Sequence, residues 1–98
     1  MRTERHGLPW PPQRPIAACV PRRRACCAGV VIATSVREAS GLALRVSVGD
    51  GTGELVLVFF GRREIPGLVP GAVVRVAGVV QNSASPPTML NPRYELLG

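Results

Sequence analysis

Residues 42–60 run Leu-Ala-Leu-Arg-Val-Ser-Val-Gly-Asp-Gly-Thr-Gly-Glu-Leu-Val-Leu-Val-Phe-Phe, and no other stretch restricts the fold as much. Leu42, Leu44, Val46 and Val48 alternate with Ala43, Arg45 and Ser47, the period-two pattern of a strand with one buried face. Asp50-Gly51 follows, a pair that tolerates the positive φ of the primed hairpin turns. Leu55, Leu57 and Phe59 then share one face, with Glu54, Val56, Val58 and Phe60 on the other. Both faces are apolar past Glu54, so this second strand is expected to be covered on both sides. A lone hairpin is marginally stable in water, so the remaining chain must add strands that bury it.

Ninety-eight residues suffice for one domain with a modest core. No segment approaches the roughly 18 uninterrupted apolar residues of a membrane span, and no membrane partner is expected. The charged start, Met1-Arg2-Thr3-Glu4-Arg5, and its proline-rich continuation lack the apolar run of a secretory signal, which makes the cytoplasm the expected location. All twelve basic side chains are arginine and none is lysine. Arginine's planar fork suits phosphate and base stacking better than an ammonium does, although a GC-rich coding sequence produces the same bias.

The net charge of +6 is unevenly distributed. Residues 1–24 carry Arg2, Arg5, Arg14, Arg22, Arg23 and Arg24 against Glu4, leaving +5. Residues 25–98 carry six arginines against Glu38, Asp50, Glu54, Glu64 and Glu95, leaving +1. Attraction to a polyanion therefore rests mostly on the N-terminal segment.

That segment holds Pro9, Pro11, Pro12, Pro15 and Pro21 and shows neither helical nor strand period. It is expected to be a flexible Pro/Arg-rich arm of residues 1–24, extended and loosely held, ahead of a folded domain of residues 25–98. Trp10 has three available roles: packing on its own domain, stacking on a base, or docking in a partner. Arg22-Arg23-Arg24 is either a solvated basic face or a source of phosphate contacts. Residues 25–36 read as a first strand, in which Gly29 marks a bulge or a sharp bend at a barrel corner. Residues 37–41 lead into the hairpin. Pro66 and Pro70 limit residues 61–71 to one helical turn, with Ile65, Leu68 and Val69 available to plug the barrel. Residues 72–80 are a fourth strand, residues 81–87 a polar, proline-ended loop, and residues 88–97 a fifth strand interrupted by Asn91-Pro92.

Five short strands, with the longest irregular connector between the third and fourth, fit an all-β, five-stranded Greek-key OB barrel with a short helical turn between strands 3 and 4. The run Val48-Gly49-Asp50-Gly51-Thr52-Gly53-Glu54-Leu55-Val56-Leu57-Val58-Phe59-Phe60 resembles the second-to-third-strand hairpin of the anticodon-binding type of OB-fold nucleic-acid-binding domains. Residues 68–80, a proline-glycine turn followed by a strand with an internal glycine, resemble the same family, as does Met89-Leu90-Asn91-Pro92-Arg93-Tyr94-Glu95. The resemblance covers about residues 25–97.

OB barrels bind single strands across the second and third strands, flanked by the first-second and fourth-fifth loops. Carried onto this chain, the resemblance implies Arg45 as the central contact, with Arg37, Arg62 and Arg63 at the rim. Arg22, Arg23 and Arg24 lie beside the first strand. Arg75 shares the outward phase of Arg45, and Arg93 adjoins Tyr94 on the last strand. Phe60 and Tyr94 are the candidate stacking rings, since Phe59 has core phase. The implied partner is single-stranded DNA or RNA, bound without catalysis and with little sequence preference. The rival is an OB-fold protein-interaction module or homodimer, for which a dry apolar face of Val56, Val58 and Phe60 would speak.

Cys19, Cys26 and Cys27 are read as reduced, partly buried thiols. Adjacent strand residues point to opposite faces, so Cys26 and Cys27 do not readily share a tetrahedral metal, and no metal or other cofactor is expected. His6, the one histidine, has no carboxylate partner at a telling spacing, and residues 49–53 lack the lysine and following helix of a phosphate loop.

Overall fold

The computed structural model of the protein describes residues 9–82 and 84–98. Arg2, Arg5 and His6 in the arm, and Ser83 in the loop before the last strand, lie outside the described residues. The strands are β1 (Arg24–Arg37), β2 (Ala43–Gly49), β3 (Glu54–Phe60), β4 (Val73–Val79), β5 (Thr88–Leu90) and β6 (Arg93–Leu96). They form one sheet in the order β5-β3-β2-β1-β4-β6. Three consecutive antiparallel strands with β4 returning beside β1 is the Greek-key arrangement.

Strand β1 is long because it serves two neighbours. Residues 24–30 pair with β4 and residues 30–37 pair with β2, with a register shift between Val31 and Ala33. The irregularity in the ladder lies at Ile32 and not at Gly29, where β1 instead passes close against β2. A Cβ there would lie 2.5 Å from the Gly49 carbonyl oxygen and 2.8 Å from Val48 Cγ1, so no other residue fits.

The fifth strand expected from the sequence is two strands. At Asn91-Pro92 the backbone turns, with Asn91 at φ +46. Asparagine tolerates this left-handed conformation better than most residues. Its N–H donates to the Val58 carbonyl at 2.7 Å, and its side-chain Oδ1 accepts the Phe60 N–H at 3.0 Å. The half before the turn, β5, runs parallel to β3, and the half after it, β6, runs antiparallel to β4. The two edges of the sheet are thus halves of one segment, and an isolated bridge links Met89 on β5 to Val80 at the end of β4.

The inward phase of every strand feeds one core. Val46, Val48, Leu55, Leu57, Val74, Val76 and Met89 are at most 1% exposed. Tyr94 packs edge-on against Phe59, with ring centroids 5.6 Å apart. The connector between β3 and β4 makes two single turns, Leu68 N–H to Ile65 O and Ala72 N–H to Val69 O, rather than a helix. Ile65 and Leu68 plug the core as expected, whereas Val69 is exposed.

The one 3-10 helix among the described residues lies instead in the arm, at Ile16–Ala18. Ile16 is 1% exposed and belongs to the core, so from Pro9 onward the arm lies on the barrel instead of trailing from it. No helix of the described residues is long and apolar enough to cross a membrane.

The close approach at Gly29 makes the first prediction. Gly29→Ala drives a methyl group into backbone and should destabilise the fold by about 3 kcal/mol, the upper part of the overpacking range. Thermal unfolding followed by circular dichroism should show a Tm lower by roughly 10–20 °C.

Candidate nucleic-acid interface

On the outward phase, the registers of β1, β2, β3 and β5 set side chains in rows. Ser35 on β1 stands opposite Arg45 on β2, Arg45 opposite Val58 on β3, and Val58 opposite Leu90 on β5. One row away, Arg37, Ala43 and Phe60 are aligned. Arg45 is half-buried, and Phe60 and Leu90 are 54% and 42% exposed. The result is a face with a guanidinium at its centre, an open aromatic ring beside it, and an apolar floor of Val58 and Leu90.

The rim is basic. Arg37 ends β1, and Arg62 and Arg63 follow β3, all exposed. Arg63 pairs with Glu38 at 2.9 Å, which links the β1–β2 loop to the β3–β4 connector. Both partners are more than half exposed, so the pair is worth no more than about 1 kcal/mol and can open for a phosphate. Arg37, Arg45 and Arg62 have no acidic partner among the described residues.

Arg75, Arg93 and Tyr94, which the sequence groups with these residues, are placed elsewhere. Strand β4 lies on the far side of β1 from β2, so the outward phase of Arg75 faces a different flank. There the Trp10 ring sits between two guanidinium groups, 4.1 Å from that of Arg75 and 3.9 Å from that of Arg93. Arg75 also pairs with the buried Glu95, and Arg93 Nη1 donates to the Pro9 carbonyl oxygen at 3.0 Å. These cation–π and ionic contacts hold the arm. Tyr94 has inward phase and is engaged with Phe59, so Phe60 is the one exposed aromatic ring among the described residues.

The arm is anchored a second time through the hairpin turn. Asp50 Oδ1 accepts the Thr52 N–H, the Thr52 hydroxyl and the Gly53 N–H, which shapes the turn. Asp50 Oδ2 accepts the Ile16 N–H at 2.9 Å. The Ile16 amide, and then the Thr52 hydroxyl, hold the Asp50 carboxyl below the usual carboxylate range, at about 2. Sequence reasoning recognised Asp50-Gly51 as turn chemistry but had no means of pairing it with a residue in the arm.

The Cys26 and Cys27 thiols are buried, which disfavours their thiolates. Burial pushes Cys26 up, partly offset by the charges of Arg75 and Arg93. Burial and the Cys19 thiol, 3.5 Å away, push Cys27 up to about 12. Among the described residues, no three His, Cys, Asp or Glu side chains are grouped to hold a metal ion.

Residues 26–97 match the tRNA anti-codon family model, an OB-fold nucleic acid binding domain. The chain belongs to that family. No curated protein matches the chain significantly. Within this OB-fold domain, Arg37, Arg45, Phe60, Arg62 and Arg63 fall inside the matched residues, whereas Arg14, Arg22, Arg23 and Arg24 precede them.

The depressed Asp50 carboxyl makes a pH prediction. Its folded value lies below the ordinary value of about 3.9, so its stabilising effect is complete above about pH 4 and disappears as the pH falls through about 2. Wild type should therefore be more stable than Asp50→Asn at neutral pH, with the gap closing between about pH 4 and about pH 2. Fluorescence of Trp10, the one tryptophan, reports arm docking across that titration.

Proposed function

We propose that this OB-fold domain binds single-stranded nucleic acid across the outer face of β2 and β3, without catalysis and with little sequence preference. The observation that carries this reading is Arg45, without an acidic partner among the described residues, beside the exposed ring of Phe60 and inside a rim of Arg37, Arg62 and Arg63. A guanidinium neutralises phosphate, and an open ring stacks on any base because every base has a π-face. The family membership supports a nucleic-acid partner.

The low selectivity in this proposal is supported by what the face lacks. Specific readout needs fixed donors and acceptors aimed at base edges, and the face offers Ser35, Ser47 and Thr88 with apolar side chains between them. With one stacking ring, the affinity per site is modest, since a stacked base contributes about 1–3 kcal/mol. The apolar group of Val58, Phe60 and Leu90 is the observation that favours the rival, a protein-interaction surface. It is a small patch, because Val56 on the same face is only 3% exposed.

Two substitutions separate these readings. Phe60→Ala should weaken binding of a labelled oligothymidine by about tenfold or more, the loss of one stacked base. Arg45→Gln should flatten the dependence of log K on log salt by about 0.7, one phosphate contact on a single strand. Fluorescence anisotropy measures both. Unchanged affinity and slope in both variants would move the partner to another surface, and self-association lost on Phe60→Ala would favour the protein interface.

A further inference from the structure

We infer that the groove where the arm meets the start of β1 is a second phosphate site for the same strand, so that nucleic acid leaving the β2–β3 face continues onto the arm. This inference rests on the reading above. The groove, of about 420 Å³, is lined by Arg14, Val20, Arg23 and Arg24. Three arginines thus line one concavity with no acidic residue among its walls. None of the three has an ion pair among the described residues, although Arg63 and Arg75 on the same molecule each take one. Like charges gathered in this way repel each other, and an anion relieves the repulsion.

The arginines are placed by backbone and not by chance side-chain contacts. Arg14 N–H donates to the Cys26 carbonyl oxygen at 2.8 Å. Arg22 N–H donates to Val80 O at 2.7 Å, Val80 N–H donates back to Arg23 O at 2.9 Å, and Arg24 pairs with Val79 in the ladder. To make this turn Arg22 adopts φ +69, a left-handed conformation that costs a non-glycine residue energy and persists only where its surroundings enforce it.

The chemistry points to the sugar–phosphate backbone of the strand. The groove offers guanidinium forks, which match phosphate oxygens bidentately, and one valine wall. It has no aromatic ring on which a base could stack. Its position joins it to the face: Val80, bonded to Arg22 and Arg23, bridges to Met89, which pairs with Leu57 on β3. Three steps between neighbouring strands amount to about 15 Å. That is four or five phosphates at the stacked rise of about 3.4 Å per strand, and fewer in an extended strand. An oligonucleotide of about 4 residues would occupy the face alone, and one of about 16 would reach both sites, the range that OB folds cover.

The test uses the full chain and labelled oligothymidines of those two lengths over a salt series. Arg14→Gln, Arg23→Gln and Arg24→Gln combined should weaken the longer oligonucleotide and flatten its salt slope by about 2, three contacts at about 0.7 each. The shorter one should bind as it does to wild type. The corresponding triple lysine variant, which keeps the charges, should retain most of the slope, and unchanged Trp10 fluorescence shows that the arm is still docked. Wild-type affinity and slope for the longer oligonucleotide in the triple glutamine variant, with Phe60→Ala still weakening it, would overturn the groove and leave the face intact. If the wild-type chain binds neither length at low salt, the reading of the face has failed, and the groove fails with it.

Discussion

Strand β1 passes from the ladder of β4 to that of β2 at Val30, beside an approach to Gly49 so close that it leaves no room for even a methyl group on Gly29. Everything else is arranged around this changeover. It curves the sheet far enough for Val31, Val48 and Val74 to meet in one core, and for the halves of the last segment to reach β3 and β4. It also sets two outer surfaces apart. Residues of β1 before the changeover lie beside β4, and residues after it lie beside β2.

The two surfaces use the same side chain for opposite ends. Beside β4 and β6, Arg75 and Arg93 are consumed by the protein itself, holding Trp10 between them while Glu95 neutralises Arg75. Beside β2 and β3, Arg45 and Arg37 face outward with no carboxylate against them among the described residues. The barrel residues are nearly neutral as a sum, but the sum conceals this division. Glu95 is spent on one flank, Asp50 on the hairpin turn and Glu38 on Arg63 at the rim, which leaves Arg37, Arg45 and Arg62 on the candidate face without an acidic partner among the described residues.

How much of this was legible depended on whether a residue's role is set by its neighbours in sequence or by strand order. Alternation identified Leu44, Val46, Leu55 and Leu57 as core and Arg45 and Phe60 as outward, because period two is a property of one strand. The same rule called Arg75 outward correctly and still misplaced it, since alternation distinguishes in from out but not one flank from the other. Tyr94 escaped because the turn at Asn91-Pro92 resets the phase of the last segment. Ile16 escaped because a proline-rich arm has no period, and for Trp10 packing on its own domain was one of three roles, with nothing in the arm to name Arg75 and Arg93 as the partners. The carboxylate of Asp50 and the guanidinium groups of Arg75 and Arg93 that hold the arm are distant in sequence.

The most direct test of the account is the map of backbone-amide chemical shifts as a single-stranded oligonucleotide is added to the full chain. The account predicts that the largest changes fall at Arg37, Arg45, Val58, Phe60 and Leu90, with the amides of Val74, Arg75 and Glu95 unmoved. Changes concentrated on β4 and β6, or none at saturating oligonucleotide, would contradict it.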